Sequence, residues 1–293
     1  MGVIPEYEGG LGNQMFIMAA AYVVQMATGN PMLCFDSPPN LLGQEHNIHK
    51  HKYHETIFKN MGAKVPWFLH SSEYKIYCSQ NGYIRRTNGQ TRIDKSVRCN
   101  SAFYPWDPKV LTGNVVMHGY YQYYPALQPY MDAIRACFLS GLETYRSRLL
   151  DTGRDWSRCM FLHVRRGDYV TKSNYHFLQP LEYYEKAVKH VCQTNAHIDC
   201  CIIFSNDVEW VKQQACWKNP FFEIDECDDE LANLATMSLC TGGAVIANST
   251  FSWWGAMLGA HAKGNPVTVP NRWIADGLYY PFLIPSEWTV VNV

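Results

Sequence analysis

Apolar residues along the chain gather into short runs that stop abruptly at polar clusters. Cys159-Met-Phe-Leu162, Cys200-Cys-Ile-Ile-Phe204 and Ala244-Val-Ile-Ala247 are continuous and apolar, the pattern of strands buried on both faces of a parallel sheet. Val115-Val-Met-His118 and Pro266-Val-Thr-Val-Pro270 read as further short strands. Between these runs the period changes to that of helices. Leu181–Cys192 carries apolar residues at 184, 187, 188, 191 and 192, a helical stripe. Met15–Thr28 reads as a helix closed by Gly29-Asn30-Pro31, and Pro129–Leu150 as another. The acidic run Asp225–Glu230 reads as the solvated start of a helix leading to Leu231, and residues 281–293 as a tail. Strands alternating with helices predict an α/β fold. Periodicity fades between Cys34 and Asn100, and Pro5 makes the expected first strand short or an edge strand.

Three of the predicted core strands end in groups suited to an anion. The first runs into His163-Val-Arg165-Arg166-Gly167-Asp168. Paired guanidiniums suit a planar, multiply charged group such as a diphosphate, and ligands of open α/β sheets sit at the carboxyl ends of the strands. Taken alone, the Arg-Arg-Gly-Asp segment reads equally as a surface ion pair. The second strand leads to Ser205-Asn206-Asp207 and Trp210, and the third to Asn248-Ser249-Thr250-Phe251-Ser252 at the start of a helix. Hydroxyls at 249, 250 and 252 with the first-turn amides form a neutral cradle for phosphate, with Ser249 or Thr250 as N-cap.

Gly9, Gly10 and Gly12 precede the first helix and place Asn13 or Gln14 at its N-terminus; the segment is neither GxGxxG nor a P-loop. Tyr120, Tyr121, Tyr123 and Tyr124 around Gln122 read either as a sugar-stacking platform or as a packed corner. His46, His49, His51 and His54 invite a zinc reading, but interleaved lysines and the lack of a nearby Cys favour a polar loop.

The chain has 293 residues, 47% hydrophobic and 17% charged, with net charge −1. That is a globular protein without the basic field of a nucleic-acid or membrane-surface binder. No apolar run approaches the ~20 residues of a spanning helix and no secretory signal is visible, so a soluble, cytoplasmic protein is expected. Eleven scattered cysteines, none spaced Cys-x-x-Cys, favour a reducing compartment. The polar segment Asp151–Asp155 reads as a link between domains at 1–150 and 155–293.

The blocks Gly10-Leu-Gly-Asn-Gln-Met-Phe16, Gly119-Tyr-Tyr-Gln122, His163-Val-Arg-Arg-Gly-Asp-Tyr169, His176, Leu181-Glu-Tyr-Tyr184, Phe204-Ser-Asn-Asp207 with Trp210, Met237-Ser-Leu-Cys240 and Ala247-Asn-Ser-Thr-Phe-Ser-Trp-Trp-Gly255 occur in this order. The ordered set resembles the α-1,2-fucosyltransferases that use GDP-fucose. The resemblance implies a GT-B-like α/β enzyme: two Rossmann-like domains with an interdomain cleft, the N-terminal one on the acceptor side and the C-terminal one binding GDP-fucose, with no metal cofactor. It implies inverting transfer of L-fucose to a glycan hydroxyl, expected to be O-2 of a galactose-like sugar. Arg166 would hold the β-phosphate and Arg165 position the site. Ser249, Thr250 and Ser252 would support the diphosphate and Asp207 the guanosine end, with Asn13 and Gln14 reaching in from the N-terminal domain. Tyr120, Tyr121 and Gln122 would meet the acceptor. Asp168, His163 and His176 are the candidates to take the acceptor proton, and His163 reads equally as a structural brace for the arginine loop. Two positions depart from the family: Asn206 and Asn233 stand where acids are usual. Related α-1,6- and protein O-fucosyltransferases share the arginine element, so an α-1,6 or α-1,3 linkage, another GDP-sugar transferase, a nucleotide-dependent phosphotransferase and a non-catalytic carbohydrate-binding protein remain alternatives.

Overall fold

The structure is a computed structural model that describes residues 2–33, 53–62, 78–87, 105–275 and 281–293. The chain divides into two compact units, Met1–Gly141 and Leu142–Val293. His46, His49 and His51 lie outside the described residues.

In the first unit, β1 (Gly2–Pro5), β2 (Ile84–Thr87) and β3 (Asn114–His118) form a parallel sheet in the order β1-β3-β2. β1 is short and terminal in that order, as Pro5 foretold; beyond Pro5 the Glu6 amide bonds to the Met117 carbonyl at 2.9 Å. Helix α1 (Leu11–Thr28) starts four residues before the expected Met15, because Gly10 is already its extended N-cap. Its apolar residues are buried almost all round, which explains why it shows no clean stripe. α2 (Tyr124–Leu127) and α3 (Met131–Gly141) follow β3.

The stretch expected as one helix to Leu150 is interrupted at Leu142. Its second half, α4 (Glu143–Leu150), belongs to the second unit, so the division falls at residues 141–142 and not in the polar segment 151–155.

The second unit continues with β4 (Cys159–Val164), α5 (Gly167–Thr171), α6 (Leu181–Thr194), β5 (Cys200–Ser205), α7 (Val208–Gln213), β6 (Phe222–Ile224), α8 (Glu230–Leu239), β7 (Gly243–Val245), α9 (Thr250–Leu258), β8 (Val267–Pro270) and β9 (Thr289–Val291). All six strands pair in parallel, in the order β6-β5-β4-β7-β8-β9. The chain begins mid-sheet at β4, winds outward through β5 and β6, then returns to β7 and winds the other way. This is the Rossmann order, and its switch point lies between β4 and β7. The expected tail supplies the edge strand β9. β6 escaped the sequence reading because Phe-Glu-Ile is a half-exposed edge with no apolar run.

Strand alternation explains the two faces of this sheet. Met160, Leu162 and Val164 point to one side, where they meet Tyr183, Tyr184, Ala187 and Val191 of α6. Phe161 and His163 point to the other, where His163 lies 5.8 Å from Phe251 of α9. α9 runs so close to α8 that a Cβ on Gly259 would sit 2.7 Å from the Met237 carbonyl oxygen. Backbone cannot yield as a side chain can. Gly259→Ala is therefore expected to destabilise the protein by about 1–3 kcal/mol, as overpacking does; a chemical-denaturation midpoint equal to or above that of the unchanged protein would contradict the packing.

Candidate active site

The switch point places the loop after β4 beside the loop after β7. Arg166, the N-cap of α5, is gripped by the turn after β5. Its Nε donates to Asp207 Oδ2 at 3.2 Å, its guanidinium carbon lies 4.0 Å from the centre of the Trp210 ring, and its backbone N–H donates to Asn206 Oδ1 at 2.9 Å. The guanidinium side chain is 17% exposed. Nε and one π face are thus taken, and the Nη atoms are the remaining donors of the side chain.

Gly167 has φ of +24°, and a Cβ there would fall 2.1 Å from Asn206 Nδ2. Only glycine lets the loop turn under Asn206. Asn206 therefore does with a neutral amide oxygen what the usual acid could do as a backbone acceptor, without adding negative charge beside Arg166. The other departure, Asn233, donates to the Cys227 carbonyl at 3.0 Å and closes the acidic loop before α8.

Arg165 is held differently. Its Nη2 donates to Asp168 Oδ1 at 2.6 Å, its guanidinium lies 5.2 Å from the Tyr169 ring, and its buried Nε has no hydrogen-bond partner. The Tyr169 hydroxyl donates to the Asn248 carbonyl at 2.9 Å, and its ring stacks on His176 with centroids 3.9 Å apart. Burial raises the Tyr169 phenol to about 12. Asn248 donates in turn to the Phe177 and Trp273 carbonyls at 2.8 and 2.7 Å. One buried amide thereby ties the loop after β7 to the segments at 169–177 and 273, which sequence reasoning missed.

Several expected roles need correction. Ser249 is the N-cap of α9 but makes no side-chain capping bond. Ser252 is fully buried, and its hydroxyl donates to the Ser249 carbonyl at 3.2 Å, so it closes the turn and does not face a ligand. Both Asp207 oxygens are engaged, Oδ2 by Arg166 and Oδ1 by the Trp210 amide at 3.2 Å. Asp207 is thus the N-cap of α7 and the anchor of Arg166.

His163 lies inside β4, 4% exposed. Burial first, and then the Arg165 charge, pull its pKa down to about 3, so it is a neutral imidazole at working pH and a poor base. Burial also lowers the pKa of His176. Asp168 keeps 40% of its side chain exposed.

In the first unit, Gln14 is buried and turned back to the Gly9 carbonyl at 2.9 Å, and Gln122 donates to Asn13 Oδ1 at 3.0 Å. Tyr121 is buried with φ of +50°, its ring edge-on to Trp106 and its hydroxyl donating to the Arg86 carbonyl at 3.2 Å. The sugar-platform reading fails for Tyr121 and for buried Gln122; the packed-corner reading holds there, while Tyr120 is half-buried. Among the described residues no group of three or more His, Cys, Asp or Glu side chains is arranged to hold a metal ion.

A profile of the family described as glycosyl transferase family 11 matches residues 112–276, more than half the chain. The chain belongs to glycosyl transferase family 11. This family 11 protein is 26% identical over 296 positions to the O-antigen biosynthesis glycosyltransferase WbnK of Escherichia coli, covering 91% of this chain and 93% of that one. It is 25% identical to an alpha-1,2-colitosyltransferase of Escherichia coli, covering 99% of each. Among solved structures, an Arabidopsis thaliana FUT1 mutant in complex with GDP has a TM-score of 0.50 at 11% identity, covering 91% of this chain and 69% of that one. Fucosyltransferase NodZ from Bradyrhizobium has a TM-score of 0.49 at 12% identity, covering 88% and 93%. The family makes the chain a glycosyltransferase, and its α/β architecture with parallel sheets is GT-B-like. No helix among the described residues is long and apolar enough to cross a membrane.

The neutral state of His163 sets a pH dependence. Its folded pKa lies below the unfolded value of 6.5, so its contribution is complete above pH 6.5 and is lost as pH falls towards 3. Between pH 7.5 and 5 the protein should lose about 2 kcal/mol more stability than a His163→Gln variant. Denaturation curves at the two pH values measure this, and parallel losses would contradict the burial of an uncharged ring.

Proposed function

We propose that the chain transfers L-fucose, with inversion, from GDP-β-L-fucose to a hydroxyl of a glycan acceptor, O-2 of a galactose-like sugar. The observation that carries this reading is the Arg166 guanidinium, held by Asp207 and Trp210 at the carboxyl end of β4, the strand whose neighbour β7 leads into α9. Negative charge grows on the departing diphosphate in the transition state. A guanidinium and a helix terminus already fixed where that charge develops stabilise it more than they stabilise the bound donor. With Arg165 adjacent, cationic side chains supply the charge that a divalent ion would otherwise bring, and the reaction proceeds without metal.

Ser249 and Thr250 support the diphosphate. Arg165, clamped to Asp168 and Tyr169, keeps the loop in register. Asp168 takes the acceptor proton: its carboxylate is exposed, whereas His163 is held neutral at a pKa of about 3. A second reading concerns the donor. The relative that aligns over 99% of the chain is an alpha-1,2-colitosyltransferase, and colitose is L-fucose without its 3-hydroxyl, so GDP-colitose fits the same cradle.

The test is GDP release from each donor, with and without chelator, followed by linkage analysis of the product formed on galactose-terminated acceptors. GDP-fucose turnover that survives the chelator and gives an α-1,2 product is expected. Faster turnover of GDP-colitose moves the assignment to that sugar, and release abolished by chelator overturns the metal-free account. Arg166→Ala should lower kcat/KM by about a hundred- to a thousand-fold and Arg166→Lys should restore only part of it, lacking the fork. Unchanged turnover in the alanine variant would remove Arg166 from the mechanism.

A further inference from the structure

A second group of reactive side chains lies at the opposite end of the same sheet, away from the arginines. Cys159 is the first residue of β4 and Cys200 the first of β5, and the two are direct partners in the parallel ladder. Partners in a parallel ladder share one face and stand about 4.8 Å apart, inside the window of about 4.4–6.8 Å that a disulfide bridges. Cys201, one residue on, pairs with Met160 and points to the other face.

The setting of the two sulfurs is polar. Arg154 Nη2 donates to both Glu223 oxygens, at 2.9 and 2.8 Å, and its Nη1 lies 3.9 Å from the Cys200 sulfur. The Cys200 thiol donates to Glu223 Oε1 at 3.2 Å, and the Cys159 thiol faces the Asp155 carbonyl at 3.6 Å. Cys159 is 2% exposed and Cys200 half-buried. A pair that served only as small hydrophobes would need neither a guanidinium nor a carboxylate against its sulfurs.

We propose that Cys159 and Cys200 form a dithiol site that peroxide closes into a single disulfide joining β4 to β5. One sulfur of the pair, as thiolate, attacks a peroxide oxygen. The O–O bond breaks, a sulfenic acid forms on that sulfur, and the other oxygen leaves as water after taking a proton. The second thiol then attacks the sulfenic sulfur, losing its proton; the S–S bond forms and a second water departs. Two thiols are oxidised and one peroxide is reduced to two waters. The titration behaviour agrees with this order. The contact between the two sulfurs lowers the pKa of Cys159, while the same contact, burial and Glu223 raise that of Cys200, so the pair gives up its two protons in separate steps. The bond would tie together the two strands whose far ends carry Arg166 and its holders Asn206 and Asp207.

The experiment treats the reduced 293-residue chain with equimolar hydrogen peroxide, blocks remaining thiols with iodoacetamide, and maps linked peptides by mass spectrometry. Two alkylatable thiols should disappear, with a link between the peptides of Cys159 and Cys200 that dithiothreitol reverses. The link should vanish in Cys200→Ser, a half-buried position that tolerates the change, and persist in Cys192→Ser and Cys201→Ser. A link that persists in Cys200→Ser, sulfinic or sulfonic acid at these positions without a link, or no loss of thiol would each overturn the proposal.

Discussion

The grip of the turn after β5 on the Arg166 side chain is the contact on which the site depends. An arginine at a strand end is ordinarily a long, mobile cation, and holding it costs side-chain entropy of up to about 2 kcal/mol. Here Asp207 fixes Nε, Trp210 covers one face and Asn206 holds the backbone. The ring contact alone contributes about 0.5–2 kcal/mol, the larger figure where water is excluded. The fork is therefore aimed before any ligand arrives, and a positioned donor stabilises developing charge without reorganising.

This arrangement explains local features that look unrelated. Gly167 is required because Asn206 occupies the space a side chain would need. Each arginine is paired with an aspartate, Arg165 with Asp168 and Arg166 with Asp207, so the loop is not self-repelling before an anion binds. Behind it the Tyr169 hydroxyl and the Asn248 amide join the loops after β4 and β7 to the segments around Phe177 and Trp273. Buried polar bonds fasten these stretches of sequence together, and they specify one geometry as apolar contacts do not.

Much of this was legible in the sequence, because continuous apolar runs ending in charge mark parallel strands and their functional ends. β4, β5, β7 and β8 were visible, as were the arginine loop and the Ser249 turn. What was hidden lay in the direction of side chains. Ser252 reads as a phosphate ligand by type and spacing, yet one helical position turns it into the core. Tyr121 and Gln122 look like a sugar platform by composition, but a positive φ at Tyr121 folds its ring inward. Asp207 reads as a ligand group by its place after β5, and its oxygens also hold Arg166 and the Trp210 amide, a bracing role that residue type alone does not reveal. The edge strands β6 and β9 carry little apolar signal because they are half exposed.

The most direct test of the account is a crystal structure of the protein bound to GDP. The β-phosphate should lie about 3 Å from Arg166 Nη, within hydrogen-bond distance of the amino end of α9 at Ser249 and Thr250, with Nε still on Asp207. A diphosphate bound elsewhere, or an Arg166 guanidinium that leaves Trp210 and turns away from it, would contradict the central claim.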